Sequence, residues 1–468
     1  MAQNLGRGRC LRLPYHPDSA DLFETIRHLG WAVFLDSGRP WIGQGRYDIL
    51  AASPYLRFIT RGDTTEICDR ANCRTSDADP LALLQRHLFP TESGVPGGLP
   101  FAGGAIGYFS YDLARRWMPI SPLDGKESPL PQMVVGLYDW AVVVDHQQQA
   151  SWLVSNGRDS FTEQLWPDLV ARLSKPSKRE EDSFRLSSEI TGHLSRVEYA
   201  ERFRRIQDYI HEGDCYQVNF AQRFTATIEG PPWGLYRRLR QVNAAPFSAF
   251  LDYPTGAVLS SSPERFLKLK GGRVETRPIK GTRSRSEDPA QDRLLKEGLA
   301  QSVKDKAENL MIVDLLRNDL GRVCRIGTIA VPALFEIESF ARVHHLVSTV
   351  TGELQPGRDA TDLLRACLPG GSITGAPKLR AMEIIDELED TPRGVYCGSI
   401  AYIGWDGSMD SNIAIRSLVS QEGRLEFRVG GGIVADSDEQ EEYQETLDKA
   451  AAIFTALGGR PKLRHESE

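Results

Sequence analysis

Four segments of the chain carry residue types and spacings suited to chemistry. In SDEQEEYQETLDKAAAIF, Glu442, Glu445 and Lys449 fall at helical spacing and share one face, with Tyr443, Leu447, Ala450 and Phe454 on the other. A solvated charged face is the simpler account of that spacing. The alternative is a carboxylate pair aimed at a hard cation: Mg²⁺ takes oxygen ligands, keeps several waters and needs only one or two carboxylates. In KDKAENLMIVDLLRNDLGR, Glu308 stands just before the apolar run Leu310–Val313. A helix that apolar is expected to be buried, and a carboxylate at its entrance is costly unless paired or metal-bound. The plain alternative is a glutamate in the first turn complementing the helix dipole. Together, a glutamate from each helix could clamp one ion.

In PGGSITGAPKLRAMEIIDELE, Gly370, Gly371, Ser372 and Thr374 precede an expected helix with Pro377 in its first turn. Backbone N–H groups at such a start bind anions, although an ordinary capped helix explains the same residues and glycine-rich loops alone are weak signals. A second run, Gly430-Gly431-Gly432, follows the expected strand LEFRV and would let a ligand approach the backbone closely. In RPIKGTRSR, Lys280 follows a strand and precedes Gly281 and Thr282. A loop lysine is by default a surface charge. To act as a nucleophile it must be buried and lose a proton ordinarily held to a pKa of about 10.4. Glu264, in SSSPERF, falls on the partner strand of the same expected hairpin, an acid beside a base.

The elements that must position these groups follow from pattern. Ser195 and Glu198 form a capping box ahead of Tyr199, Phe203, Ile206 and Ile210, and Gly213 stops that helix. Residues 257–277 are predicted to form a hairpin turning at Gly271-Gly272, and 289–320 a single helix opened by Pro289 and closed by Gly321. Residues 395–435 alternate as strands, broken by Asp406-Gly407 and Glu422-Gly423 turns, and a last helix runs over 438–457. Residues 174–194 are polar and read as a linker between an N-terminal region, 1–175, and a catalytic region, 190–460. The mixed order predicts an α+β fold with large antiparallel sheets.

Bulk composition narrows the function. The net charge is −7 and no basic block stands out, which argues against a nucleic-acid partner. No apolar run approaches membrane-spanning length, and no h-region follows the early arginines, so the protein is expected to stay in the cytoplasm, off the membrane. The 7 cysteines are scattered and odd in number. Cys68 and Cys73 lack a second pair at zinc-site spacing, and reduced thiols are expected throughout.

Taken together, GDCYQVNFAQRF (213–224), SSSPERFL (260–267), PIKGT (278–282), AENLMIVDLLRNDLGRV (307–323), VHHLVSTV (343–350), LPGGSITGAPKLRAMEIIDELE (368–389), GSMDSNIAIRSL (407–418) and GGGIVADS (430–437) through EEYQETLDKA (441–450) resemble the chorismate-binding enzymes. That family holds the large subunits of anthranilate synthase and aminodeoxychorismate synthase and the isochorismate and salicylate synthases. The resemblance implies an anthranilate-synthase-like α+β architecture, packed antiparallel sheets surrounded by helices, and a Mg²⁺-dependent reaction on chorismate. Lys280 resembles the aminodeoxychorismate synthase branch, which makes a precursor of 4-aminobenzoate and folate; anthranilate synthases, the alternative, carry alanine there. In that branch the lysine adds to C2 of chorismate, and Glu264 matches the glutamate that protonates the departing C4 hydroxyl.

By the same resemblance Glu308 and Glu445 match the Mg²⁺ ligands, with Glu442 nearby. Tyr396, Arg416 and the Gly430, Gly431 and Gly432 backbone match groups holding the substrate carboxylate and ring. Gly281, Thr282, His345, Gly371, Ser372, Thr374 and Lys449 match other pocket positions. Ser37, Arg46, Tyr47, Pro246, Phe247 and Ser248 occupy the segments of a tryptophan pocket that serves feedback in anthranilate synthases. The Asp36-Ser37-Gly38 segment lacks the usual Leu-Leu-Glu run before the serine, which argues against feedback here. No nucleophile elbow with a histidine partner is present, so ammonia is expected from a separate glutamine amidotransferase subunit. A silent binding subunit is the remaining reading; it predicts lost metal- or carboxylate-binding positions, and none of the matched ones is missing.

Overall fold

The computed structural model describes residues 3–5, 8–43, 45–88, 98–121, 128–175, 183–340 and 343–462. Of the expected linker, 176–182 lies outside the described residues. The strands assemble into two large sheets, antiparallel apart from a short parallel pairing of Ile190 with Pro461. Each sheet takes strands from both sides of the 174–194 crossing. In the first, Ala32–Asp36 pairs with Phe247–Tyr253; in the second, Gly104–Phe109 pairs with Ser399–Gly404.

Strands at the middle of the assembly are buried on both faces. Met133–Tyr138 and Trp140–Asp145 show no polar alternation because every residue in them is buried. One apolar core gathers Phe266, Val313, Leu364, Ile373, Met382 and Ile413 around the second sheet. Another gathers Phe23, Phe34, Trp233, Tyr236 and Phe250 against the first. Each such side chain contributes about 1.5–3 kcal/mol by leaving water, so the frame that carries the polar site is rigid. Among the described residues no helix is long and apolar enough to cross a membrane.

Several elements form as the sequence predicts. Ser195 and Glu198 exchange both bonds of the capping box at the head of Arg196–His211. Asp438 caps Glu439–Leu457, which ends at Gly458 in the left-handed region, φ 74°. Other elements differ. The 289–320 helix is two, Pro289–Gln301 and Val303–Gly321, because Ser302 leaves helical geometry (ψ 113°) and caps the second through the Asp305 N–H at 3.2 Å. Its apolar run is only partly buried: Ile312 and Val313 are inside, but Leu310 is 46% exposed.

The 257–277 hairpin is also divided. Arg265–Lys270 and Arg273–Thr276 do pair about Gly271-Gly272, but Gly256–Ser262 belongs to the other sheet. The chain crosses between sheets at Pro263-Glu264, where proline has no N–H to give a ladder. Finally, Cys68 and Cys73 are joined as a disulfide, against the expectation of thiols throughout. They face each other across the Thr64–Cys68 and Cys73–Ser76 strands with Cα atoms 4.1 Å apart. The other described cysteines are free and buried.

Candidate active site

The sheet crossover delivers Glu264 into the interior, where it is 7% exposed. The Ser372 hydroxyl donates to its Oε1 at 3.1 Å, and its own N–H and carbonyl are held by Ser262 Oγ (3.2 Å) and the Ile413 N–H (3.1 Å). Burial pushes its pKa up to about 7; the Ser372 bond, the Lys280 charge, the Ile279 N–H and Lys449 limit the rise. Ser372 lies in a short 3₁₀ turn, Gly371–Ile373, rather than in the first turn of Lys378–Leu388, which Pro377 caps. The Thr374 hydroxyl, fully buried, closes that turn by donating to the Gly370 carbonyl at 3.0 Å.

Lys280 reaches the same space from the strand Ile279–Ser284, which pairs with Val343–Glu353 and breaks register between Ile279 and Thr282. It is therefore not across a hairpin from Glu264, as the sequence suggested, but on a separate strand of the second sheet. Gly281 sits in the irregular stretch with φ 81°, and a Cβ there would lie 2.9 Å from both Asp305 and Leu299. Only glycine fits, and the bulge re-aims its neighbour. The Lys280 Nζ stands 3.9 Å from Glu308 Oε2. One step along, Thr282 Oγ1 is 2.8 Å from Nδ1 of His345. Burial, with Arg416 and His344 beside it, pushes the His345 pKa down to about 4, so the ring is neutral.

Three carboxylates complete one wall. Glu442 is 7% exposed and accepts from Ser437 Oγ at 2.6 Å; Glu445 pairs with Lys449. Gly431 lies directly under both: a Cβ there would be 3.0 Å from Glu442 Oε2 and 3.5 Å from Glu445 Oε1. Burial raises the pKa of Glu308 and of Glu442. Burial also acts on Glu445, but the Lys449, Lys280 and Lys304 ammonium groups outweigh it and hold that carboxyl below its usual range. The oxygens of all three do not converge within 4.8 Å. Oxygen-only donors under a buried, cation-hungry charge nonetheless fit a hard divalent ion that keeps most of its waters. The charge of Lys304, one turn before Glu308, acts on all three carboxylates, and Lys304 was not singled out from sequence.

The glycine run continues its strand, Arg424–Val434, instead of following it. Gln217–Glu229 pairs along the whole run, whereas Ser417–Gln421 pairs only as far as Phe427. One backbone edge of Gly430–Gly432 is thus unused by the sheet, though Lys449 Nζ already donates to the Gly430 carbonyl at 3.0 Å. Arg416 stands in the loop before that shorter strand with φ 49°. It is largely buried, and its longest-reaching bond is a 3.5 Å contact to Asn243 Oδ1. Among the described residues no carboxylate pairs with it, which leaves its planar guanidinium able to take a carboxylate in two parallel bonds. Tyr396 is buried in the core with its ring 5.8 Å from the Arg393 guanidinium.

Two further polar groups escaped the sequence reading. The Gln217 amide is buried beside Gly432 with neither its nitrogen nor its oxygen bonded, and Asn309 has an unbonded Nδ2 next to Glu308. The signal was there, since buried amides in apolar surroundings need partners, but burial itself was not legible.

A separate cavity of about 270 Å³ opens where the two sheets meet. Ser37, Arg46, Tyr47, Pro246, Phe247 and Ser248 all line it. Ser37 Oγ donates to the buried Asp48 at 2.6 Å, leaving its lone pairs to accept from a ligand. Arg46 pairs with Asp145 at 3.0 Å and lies over Tyr47. Arg265, the residue after Glu264, is also in the wall.

Residues 32–455 match the family described as chorismate binding enzyme. The aminodeoxychorismate synthase component 1 of Salmonella typhimurium LT2 is 48% identical over 450 residues, 96% of this chain and 98% of its own. That of Escherichia coli K12 is 46% identical over 453 residues, with the same coverage of 96% and 98%. The crystal structure of anthranilate synthase component I from Streptococcus pneumoniae TIGR4 superposes with a TM-score of 0.78 at 33% identity, covering 89% of this chain and 93% of that one.

Proposed function

Since the chain belongs to the chorismate-binding enzyme family, we propose that it aminates chorismate at C4 with ammonia, giving 4-amino-4-deoxychorismate with the pyruvyl ether intact. The observation that carries this reading is Lys280 in the site, its Nζ 3.9 Å from Glu308 and its charge felt by Glu264. In the proposed reaction the Lys280 amine bonds to C2, both ring double bonds shift toward C4, and the C4 hydroxyl leaves with the Glu264 proton. Ammonia then bonds to C4, both double bonds shift back, the Lys280–C2 bond breaks, and Glu264 takes up the proton the ammonia loses.

Arg416 and the free edge of Gly430–Gly432 hold the substrate carboxylate, and Thr282 with neutral His345 lines the same side. Glu308 and Glu445, with Glu442, would hold Mg²⁺, which supplies positive charge against a substrate carboxylate. Ammonia comes from a separate glutamine amidotransferase subunit. The 270 Å³ cavity, with its hydroxyl-bearing and aromatic lining, is read as a tryptophan site. The test is product identity by mass and absorbance after incubation with chorismate, Mg²⁺ and an ammonium salt. The C4-aminated compound supports the reading; anthranilate, or no amination, overturns it.

A further inference from the structure

A buried ion pair lies behind the site, its guanidinium 5.8 Å from the Tyr396 ring. Arg393 and Glu389 have side chains 1% and 3% exposed. The Arg393 guanidinium donates from Nε to Glu389 Oε2 at 3.0 Å and from Nη2 to Glu389 Oε1 at 2.6 Å. Its remaining donors go to two backbone carbonyls on different elements: Nη1 to Ile373 at 2.9 Å and Nη2 to Asn219 at 2.6 Å. Glu389 in turn accepts from the Ala221 N–H at 3.1 Å.

These backbone groups are the immediate supports of the site. Ile373 follows Ser372, whose hydroxyl holds Glu264. Asn219 and Ala221 are the cross-strand partners of Gly432 and Gly430. We infer that Arg393 is a positioning residue: one planar fork sets the spacing between the turn that holds Glu264 and the strand that backs the glycine run. Lys378 pins the other end of the same turn, donating to the Pro369 carbonyl at 2.8 Å and pairing with Asp319 at 2.6 Å.

Stability alone is a poor reason for this arrangement, because buried ion pairs are often replaceable by apolar residues at no cost. Geometry is a better one. Arginine offers five N–H groups in a rigid fork, and lysine cannot reach two carbonyls and a carboxylate in one plane. Arg393→Lys keeps the charge that Glu389 needs but loses the simultaneous grip on Ile373 and Asn219.

The inference rests on the proposed role of Glu264, so its test is a double-mutant cycle on turnover of chorismate by the full chain with ammonium and Mg²⁺. Arg393→Lys should unfold within a few degrees of wild type yet lose about 30- to 100-fold in kcat, with KM for chorismate changed far less. In a Glu264→Gln background, the same substitution should cost less than about threefold, because residues acting as one unit are non-additive. Equal losses in both backgrounds, or wild-type kcat for Arg393→Lys, overturn the inference. If Arg393→Lys does not fold, Arg393→Gln, which leaves Glu389 paired with the buried Arg428 at 3.5 Å, is read in the same cycle. The cycle can follow whatever product wild type makes from chorismate. A product other than the C4 amine therefore sinks the functional reading, and additive losses sink the positioning role, as two separate results.

Discussion

Ser372 and Glu264, 108 residues apart, meet through a 3.1 Å hydrogen bond inside the protein. The serine arrives on a 3₁₀ turn and the glutamate on the crossover between sheets. The bond favours the ionised carboxylate, while burial favours the neutral acid, and burial wins: the pKa rises to about 7. Glu264 is thereby held where it can both give and take a proton near neutrality.

The first prediction follows from that balance. Protonation of the C4 hydroxyl needs the acid form, so kcat/KM should fall as pH rises through about 7. Ser372→Ala removes a contact that lowers the pKa and should move this limb to higher pH. The same shift has a stability sign. A carboxyl with a raised folded pKa stabilises most below its unfolded value and loses that contribution as pH climbs from about 4.5 to about 7. Glu264→Gln should therefore flatten thermal stability across that range, measured by the unfolding midpoint against pH. A limb that stays in place in Ser372→Ala would show that the serine does not act on this acid.

The second prediction concerns the carboxylate wall. Glu308→Gln and Glu445→Gln should each abolish turnover while the far-ultraviolet spectrum and unfolding midpoint stay near wild type. Magnesium titration by calorimetry should show at least about a tenfold weaker site, as expected when one of few protein oxygens is lost. Gly431→Ala tests the same wall from below. Its methyl would sit 3.0 Å from Glu442 Oε2, so the Mg²⁺ concentration for half-maximal rate should rise by several-fold. Unchanged Mg²⁺ dependence in all three variants would remove these residues from the metal site.

Ammonia supply gives a third. The chain alone should turn over with ammonium salts and show no rate with glutamine. Glutamine should become a nitrogen source only when a glutamine amidotransferase is added. Glutamine-dependent turnover by the purified chain rules this out.

How much of this was legible beforehand varies with the range of the forces involved. Local signals read well: the Ser195–Glu198 box formed as predicted and the last helix, expected over 438–457, runs over Glu439–Leu457, because such ends are settled by a few adjacent residues. Position across sheets read poorly. That Lys280 faces the site depends on a register break and on Gly281 packing against Asp305, neither of which period-two alternation encodes. Gly430–Gly432 was expected to follow its strand, since glycine is a poor strand former; pairing with Gln217–Glu229 carries the strand through it. The Cys68–Cys73 bond depended on a hairpin register that the spacing alone did not fix. The six cavity residues came from resemblance, since Ser37 and Ser248 are brought together by pairing between strands more than 200 positions apart.

The fourth prediction rests on one side chain. A primary amine attacks carbon only in its unprotonated form, and Lys280 sits near Glu308 and Glu264, either of which can receive its proton. Once bonded at C2, the lysine blocks that carbon and leaves C4 as the electrophile for ammonia. Without it, ammonia can add at C2 directly, the chemistry of the anthranilate synthases that carry alanine at this position. Lys280→Ala should therefore lose at least about 100-fold in C4 amination, the scale of removing covalent catalysis, and its residual product should shift toward the C2-aminated compound. Intact-protein mass spectrometry with chorismate and Mg²⁺ but no ammonia should show an adduct on wild type and none on Lys280→Ala. Lys280→Arg separates nucleophile from charge: it keeps a cation beside Glu308 but cannot be deprotonated, and should be as inactive as alanine. If Lys280→Arg retains C4 amination, the side chain serves as a counter-ion to Glu308, and the preference for amination at C4 over C2 loses its principal support.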